Sequence, residues 1–472
     1  MEKNKQQLMK NLTKFQDQKV GLMLVACFLA SMLFLVLSKA NNDISLRILT
    51  PKSSLVAVSA GLKADDKTDS VDGGNGTSPL CDVAQPRSEF CEMDGDVRIH
   101  GNSSTVTFVS TTSAAAAAGR SDESYRIRPY ARKGDDTAMS FIREVHVRRD
   151  SADEPPPRCT VNHTDTPAIV FSTSAYAGNI FHDYSDILIP LFLTSRQYDG
   201  EVRFLVANIN TWWLNKYQSV LGRLTKYPVI DFDRDAEVRC FSRVVVGLKC
   251  SKELSIDPSA SPSGYAMPDF TRFLRASYNL TRDAVGPRGP KERPRMMIIS
   301  RSRARAFRNV DEIVRLARET GFEAVVAEAG VGTDVARFAA TVNSCDAMMG
   351  VHGAGLTNLL YLPANATVVQ VVPWGGLGWV ARYDYGVPAA DSGLHYLQYE
   401  IREEESSLVE VYARDHAVFK DPFKYHKLGW MAIREMFMDN QTVKLDIDRF
   451  RPVLLEALEL VRKQQSVAES VQ

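Results

Sequence analysis

The sequence predicts an α/β protein in which two domains, each built on a parallel sheet, face each other across a cleft, and three features of its patterning predict it. From Ala168 onwards short β-branched runs alternate with amphipathic helical stretches, the pattern of βα units winding into a sheet. A second alternating set begins at Met296, after the Pro- and Gly-rich break GPRGPKERPR at 286–295. Within it, VNSCDAMMGVHGAGLTNLLYLPANATVVQVVPW (342–374) reads as strand, glycine-rich turn, short helix and strand. Ligands of such folds sit at the carboxyl ends of the strands, so the expected site is the cleft between the halves.

Element by element, CEMDGDVRIHGNSSTVTFVS alternates like strands, TTSAAAAAGRSDES is low-complexity, and EPPPR at 154–158 is a break. The first half continues as AIVFST, a helix over 179–196, VRFLVAN, a helix over 212–226, PVIDF, RVVVGL and a helix near 268–280. The second half reads MMIIS, a helix ending near Thr320 and opened by a capping box of Asn309 with Glu312, FEAVVAE, a helix over 333–343, DAMMGV and TVVQVV. Residues 423–464 are expected to be helical and to pack across both halves.

Val20 to Leu37 carry no charge over about eighteen residues, enough to span a bilayer as a helix. Lys3, Lys5, Lys10, Lys14 and Lys19 precede this run and Lys39 alone follows closely. The positive-inside rule then predicts a type II signal anchor: a cytosolic tail over 1–19, a span over 20–37 and a lumenal remainder. A long polar region before the apolar run, and no A-x-A site close behind it, argue against a cleaved signal peptide. Residues 38–80 are rich in Ser, Asp and Gly and read as a stem, leaving 81–285 and 286–472 as the two folded domains. Acceptor sequons at Asn75, Asn102, Asn162, Asn279, Asn365 and Asn440 fit a lumenal chain. Cys27 lies in the span; of the other cysteines, Cys81 with Cys91 and Cys240 with Cys250 are the expected local disulfides. Basic and acidic residues number 57 each, which argues against a general polyanion binder and against nucleic acid.

Glycines at 350, 353 and 355 let backbone N–H groups crowd around an anion, and the helix that follows points its positive end at the same place. His352, Gly353, Ala354, Gly355, Thr357 and Asn358 are therefore candidate diphosphate contacts, although many such turns only close a strand-to-helix corner. SRSRARAFRN follows MMIIS directly, so Arg301, Arg303 or Arg305 reaches the carboxyl end of that strand, and guanidinium is the natural clamp for phosphate. Arginines and turn together would neutralise a departing nucleotide diphosphate without a metal. Asp231 and Asp233 form a D-x-D that invites a divalent metal, but the motif is short and common, and no metal site is assigned. In GNIFHDYSDILIPLFLTSRQ, Ile180, Tyr184, Ile187, Leu188 and Leu191 share one helical stripe, which puts His182, Asp183 and Asp186 in the first turns. A histidine there suits general-base chemistry and either carboxylate would orient it; capping beside a surface histidine is the bland alternative. Trp212, Trp213, Trp374, Trp379 and Trp430 suit either sugar stacking or core, and His416 and His426 are too isolated to be metal ligands.

NIFHDYSDILIPLF, IISRSRARAFRNVDEIV, VNSCDAMMGVHGAGLTNLLYLP and VVQVVPWG followed by WVARYDYG resemble the plant glycosyltransferases of family sixty-one, the xylan-decorating group of grasses, from about Cys81 to Leu460. The resemblance implies a GT-B type fold of two facing Rossmann-like domains, with 81–285 on the acceptor side and 286–472 binding the nucleotide sugar. It also implies a Golgi membrane location, a UDP-sugar donor without a required cofactor, inversion at the anomeric carbon, and association with other xylan-synthesising enzymes. Members transfer xylose to O2 or arabinofuranose to O3 of backbone xylosyl units, so UDP-xylose or UDP-arabinofuranose is the expected donor and xylan the acceptor. Xylosyl transfer is set slightly ahead because the N-terminal region is unlike that of arabinosyl members. More distant animal relatives transfer N-acetylglucosamine to protein-linked acceptors, with a glutamate at the place of Gln370, which leaves the ribose contact open.

Combining both readings, His182, assisted by Asp183 or Asp186, takes the proton of the acceptor hydroxyl, while Arg301, Arg303 and the 353–358 helix start hold UDP. His352 contacts the diphosphate or shapes the turn, and Trp379 and Arg382 are candidate sugar or acceptor contacts. An esterase, suggested by HGAG, would need a G-x-S-x-G elbow that the sequence lacks. A silent polysaccharide-binding module remains the other rival; UDP binding without turnover would be its signature.

Overall fold

The computed structural model describes residues 79–471 apart from 111–122, 152, 262, 290–291, 329 and 331. The expected anchor, nearly all of the stem, Asn75 and the alanine-rich stretch lie outside those residues. Two sheets carry the described fold. The first contains β1 (Cys81–Asp82), β2 (Phe90–His100), β3 (Thr105–Val109), β4 (Ser124–Ile127), β5 (Val145–Arg149), β6 (Val161–His163), β7 (Ala168–Ser172), β8 (Arg203–Ala207), β9 (Ile230–Asp231) and β10 (Val238–Val246), in the order β4-β5-β3-β2-β10-β7-β8-β9, with β1 on β2 and β6 on β10. The second contains β11 (Arg295–Ile299), β12 (Glu323–Ala327), β13 (Ala347–Val351), β14 (Thr367–Val372) and β15 (His395–Glu400), in the order β12-β11-β13-β14-β15, every pairing parallel.

Burial explains the difference between them. Every residue of β7, β13 and β14 is buried, as strands covered on both faces require. In β2, Cys91, Met93, Val97 and Ile99 point inward between more exposed neighbours, so one face meets the core and the other faces outward. The first sheet is therefore mixed: β7, β8, β9 and β10 run parallel, while β2 pairs antiparallel with β1, β3 and β10. This corrects the expectation of a parallel sheet in each half. One hydrophobic core passes between the sheets, joining Ile169, Phe171, Phe204 and Val206 to Met297, Ile299, Met349 and Val369.

Several helices depart from the periodicity reading. The 212–226 segment divides at Tyr217 into Thr211–Lys216 and Gln218–Leu224. Between Ile180–His182 and Ile189–Ser195 the chain makes a π-helical turn, Asp183–Leu188. Asn309 does not cap its helix by the expected box: its Oδ1 accepts from the Leu445 N–H and its Nδ2 donates to the Glu312 carboxylate, tying helix Val310–Thr320 to the C-terminal segment. The long helix Ile447–Val471 packs on that helix and on β14 and β15, hence on the second half and not across both.

The cysteines also depart from the local pairing. Cys81 and Cys91 face each other in the β1/β2 register and are bonded. Cys240 pairs with Cys159, and Cys250 and Cys345 are buried free thiols. Strand β10 is the reason: Cys240 lies in the extended strand and Cys250 beyond its end, whereas β6 brings Cys159 beside Cys240. Asn102, Asn162, Asn279, Asn365 and Asn440 are all exposed. Peptide mapping without reduction should recover Cys81–Cys91 and Cys159–Cys240, with Cys250 and Cys345 alkylated only after unfolding. Cys159→Ser should cost roughly 3–4 kcal/mol of stability because that bond closes a long loop; a recovered Cys240–Cys250 peptide would refute the assignment.

Candidate active site

A cleft of about 720 Å3 opens where the carboxyl ends of β11, β12 and β13 meet the loop after β7. Gly178, Asn179, Ile180 and Lys216 line it from the first half; Arg301, Ser302, Arg303, Glu328, Phe338, Ala354, Gly355 and Asn358 line it from the second. The connection after β13 turns through Gly353 at φ 142° into a 3-10 helix, Ala354–Tyr361. Only glycine serves at that position, since a Cβ would stand 2.7 Å from Arg305 Nη1 and 2.8 Å from Arg301 Nη1. Gly350 and Gly355 instead let Ile299 pack closely, so of the three glycines only Gly353 meets the guanidinium groups.

These arginines form a buried cationic pair without a direct ion-pair partner. Among the described residues neither Arg301 nor Arg305 makes an ion pair, and Arg305 Nε is buried without a partner. Arg301 donates to the Ala304 carbonyl at 3.0 Å and Arg305 Nη1 to the His352 carbonyl at 3.0 Å. Burial, then repulsion from Arg301, pushes the Arg305 pKa down to about 10. The Arg305 backbone lies in the left-handed region at φ 58°, a conformation held by its N–H on the Gln441 carbonyl at 2.6 Å. Arg303, paired with Arg301 in the sequence reading, is exposed on the rim; Arg305 takes the inner position because this turn swings it against Gly353.

Two residues beyond the cleft-lining Ile180, His182 stands 2.9 Å, through Nδ1, from Asp186 Oδ2. Asp186 is fully buried and also accepts from Tyr130 Oη at 3.0 Å and from Arg87 and Arg132, each at 3.2 Å. An acceptor-only carboxylate on Nδ1 leaves the Nε2 lone pair free, as a general base requires. Glu253 completes the cluster by pairing with Arg87 and Arg132, so two buried carboxylates balance two guanidinium groups. Asp183 does not join His182. Its carboxylate accepts from Gly178 N at 2.7 Å, Trp213 Nε1 at 2.8 Å and Tyr217 Oη at 2.6 Å, with Lys216 Nζ at 3.2 Å. The π turn separates the two aspartates: one anchors the helix start to Thr211–Lys216 and the other orients the histidine.

The remaining candidates sort by contact. His352 is 3% exposed, its Nδ1 is 2.8 Å from the Gln370 amide, and burial with the nearby Arg305 and Arg301 pushes its pKa down to about 3. Its ring thus shapes the turn while its carbonyl positions Arg305. Thr357 is buried with its hydroxyl 3.5 Å from Tyr385 Oη, away from the cleft lining, whereas Asn358 lines the cleft and donates to the Gly355 carbonyl at 2.8 Å. Gln370 is fully buried and spent on His352 and Tyr396. Trp379 and Arg382 are exposed on the turn that leaves β14, outside the cleft lining. The D-x-D carboxylates are already in use: Asp233 accepts from Asn208 N at 2.7 Å and pairs with Arg143 at 3.3 Å, and Asp231 caps Asp233 N. The His416 ring caps Val418 N, and the His426 ring holds the Gly375 carbonyl.

Sequence reading missed Glu328 and Asp384. Glu328 lies at the end of β12 and accepts both the N–H and the hydroxyl of Ser302 at 2.9 Å. Asp384, in a second π turn Arg382–Gly386, places Oδ2 3.7 Å from His352 Nε2. Burial, then the negative charge of Glu253, pushes its carboxyl up to about 7. No periodicity signals either residue, because Glu328 acts from just beyond a strand end and Asp384 from within a π turn.

The sequence profile described as Glycosyltransferase 61 matches residues 180–369, which span both walls of this cleft. Alpha-1,3-arabinosyltransferase XAT3 of Oryza sativa subsp. japonica is 50% identical over 386 residues, 81% of this chain and 66% of that protein. Beta-1,2-xylosyltransferase XYXT1 of the same plant is 45% identical over 395 residues, 81% of this chain and 84% of that protein. Xylan glycosyltransferase MUCI21 of Arabidopsis thaliana is 35% identical over 394 residues, 80% and 78% of the two chains. This chain spans about two thirds of the length of XAT3 and most of XYXT1 and MUCI21. On these matches the chain belongs to the glycosyltransferase 61 family.

Proposed function

We propose that this protein transfers a pentose from a UDP-sugar to the xylan backbone, with inversion, as a type II Golgi membrane enzyme of GT-B type. The observation that carries the reading is an oriented histidine two residues beyond the cleft-lining stretch Gly178–Ile180, with Arg301, one of a buried arginine pair that makes no ion pair among the described residues, lining the cleft from the second half. Family membership and the names of the relatives support the xylan acceptor and the pentosyl donor. A donor lying between these walls would seat its diphosphate on Arg301, Arg305 and the Gly353 turn, and its nucleoside toward Glu328, Phe338 and Asn358. Charge leaving with UDP would then meet two guanidinium groups already desolvated and in place.

In this mechanism His182 Nε2 removes the acceptor O–H proton as that oxygen attacks the anomeric carbon from the face opposite UDP. One C–O bond forms, the bond to the β-phosphate oxygen breaks, and the proton ends on an imidazole held by Asp186. No divalent metal is required in this scheme. The earlier preference for xylosyl transfer gains no support from the relatives, since the arabinosyltransferase is 50% identical and the xylosyltransferase 45%. Both UDP-arabinofuranose and UDP-xylose therefore stand as donors, and association with other xylan-synthesising enzymes belongs to the same reading.

The direct test incubates the protein with xylohexaose and, separately, UDP-xylose, UDP-arabinofuranose or UDP-N-acetylglucosamine, with and without EDTA. One pentose adduct that forms despite EDTA is expected; no adduct from protein that binds UDP would favour the silent module. His182→Ala should lower kcat by about a hundredfold to ten-thousandfold with UDP affinity unchanged. Asp183→Asn should instead lower Tm, costing roughly 3–5 kcal/mol, because its buried cationic and hydroxyl partners lose their anion. Equal kinetic defects at unchanged Tm would overturn that division of labour.

Asp384 yields a pH prediction. Its carboxyl, held near 7, keeps a proton in the folded state that the unfolded chain has already released above about pH 4. Stability from this site is therefore lost as pH rises from about 4 to 7. Asp384→Asn should be nearly neutral at about pH 4 and stabilising by roughly 2–4 kcal/mol at pH 8, measured by denaturant unfolding at both pH values. A constant difference between the two would refute the shifted carboxyl.

A further inference from the structure

We propose that the exposed aromatic face formed by residues 378–386 and 423–431 is an extended acceptor subsite, stacking on the xylosyl units that flank the one being glycosylated. This rests on the xylan reading above. Trp379, Tyr383, Phe423 and Trp430 are 56%, 52%, 55% and 48% exposed. They are four of the six large aromatic side chains that stand exposed among the described residues, the others being Phe141 and Trp212, so the concentration here is local. Isolated exposed rings need no explanation, but a contiguous cluster marks a contact surface.

The face is built and held in place. His426 lies 4.9 Å from the Phe423 ring and 6.5 Å from the Trp379 ring, and its Nε2 is 2.7 Å from the Gly375 carbonyl. A Cβ on Gly376 would stand 2.9 Å from the tip of the Phe423 ring, so glycine lets that ring approach the loop after β14. This loop leaves the carboxyl end of its strand, the edge on which the cleft opens. Trp379 and Tyr383, about one turn apart, face outward, while the next residue, Asp384, turns in toward His352. Beyond Trp430 the chain carries Arg434 and Asp439, whose charges bear on Tyr176 and Arg305; Tyr176 packs 4.6 Å from His182. Gln441, further along the same segment, accepts the Arg305 N–H at 2.6 Å and donates to the Trp374 carbonyl at 2.8 Å, so the aromatic face and the anion site share one support.

The chemistry fits an uncharged polysaccharide. A pyranose ring offers apolar C–H faces and no charge, so flat rings recognise it where arginines would not. Lys420, Lys424 and Lys427 nearby would also suit an anionic membrane surface, but rigid rings that share a support with the anion site favour the polymer on which the cleft acts.

The test uses the full chain in detergent, with Phe423→Ala and Trp430→Ala assayed on xylotriose, xylohexaose and polymeric xylan. KM should stay within about twofold on xylotriose and rise about fivefold to tenfold per substitution on the longer acceptors, with UDP affinity unchanged. Phe423→Tyr and Trp430→Phe should restore the long-acceptor KM, which separates stacking from a folding defect. Equal effects at every chain length, or none at any, would overturn the subsite. So would loss of binding to anionic vesicles with xylan KM unchanged. A wild-type protein inactive on every xylan acceptor would instead overturn the reading beneath it.

Discussion

The site depends on one buried seam, where the helical run Ile180–Ser195 of the first half lies against the 3-10 helix Ala354–Tyr361 of the second. Tyr184 and Tyr361 join hydroxyl to hydroxyl there, both fully buried, with Tyr217 and Tyr278 packed edge-on around them. Phe181 meets Tyr385, and Tyr385 meets His352, carrying the same packing toward the cleft. Helix and turn line the cleft through Ile180 and through Ala354 and Gly355, which sets His182 and Gly353 beside it. Because interiors are close-packed, the separation between proton acceptor and anion site is set by this seam and by the core around it. Asp183 belongs to that construction: by gripping Gly178 N, Trp213 and Tyr217 it fixes where the helix begins, and so where His182 stands.

The two walls handle charge in opposite ways. Around His182, Asp186 and Glu253 are matched by Arg87 and Arg132, so the orienting carboxylate sits in a paired and charge-balanced cluster. Around Gly353, two desolvated guanidinium groups make no direct ion pair among the described residues, with Asp439 acting on both only from a distance, which is costly until an anion arrives. A strained Arg305 backbone adds to that cost. Such an arrangement places part of the binding energy of an anion in the empty site, where it acts as preorganisation.

The sequence made parts of this legible for identifiable reasons. Fully buried parallel strands read as apolar runs, so β7, β11, β13 and β14 stood out, and the glycine turn and the arginine stretch followed from chemistry placed at strand ends. What failed was whatever depends on local departures from ideal geometry. A π turn cannot be seen in a 3.6-residue pattern, so Asp183 and Asp186 read as equivalent neighbours of His182 when they face different partners. Arg305 outranks Arg303 only because its backbone turns left-handed. Cys159 meets Cys240 through a short parallel strand with little periodicity of its own, and Asp384 enters through another π turn.

The proton count at His352 can be followed from a distant carboxylate. Glu400 accepts from the Gln398 amide nitrogen at 2.8 Å, which turns the Gln398 oxygen toward Tyr396 Oη, also at 2.8 Å. Tyr396 shares its one hydroxyl proton with the Gln370 oxygen, 2.9 Å away. The Gln370 amide nitrogen is thereby turned to His352 Nδ1 at 2.8 Å, which accepts, so the neutral ring carries its proton on Nε2. That N–H faces Asp384 Oδ2 at 3.7 Å, too long for a hydrogen bond. The carboxyl is thus left to burial and the charge of Glu253, which push it up to about 7, while burial keeps the ring itself uncharged with a pKa pushed down to about 3. Side-chain attraction for an anion at this turn therefore comes from Arg301 and Arg305, and the histidine serves by holding its carbonyl where Arg305 can reach it.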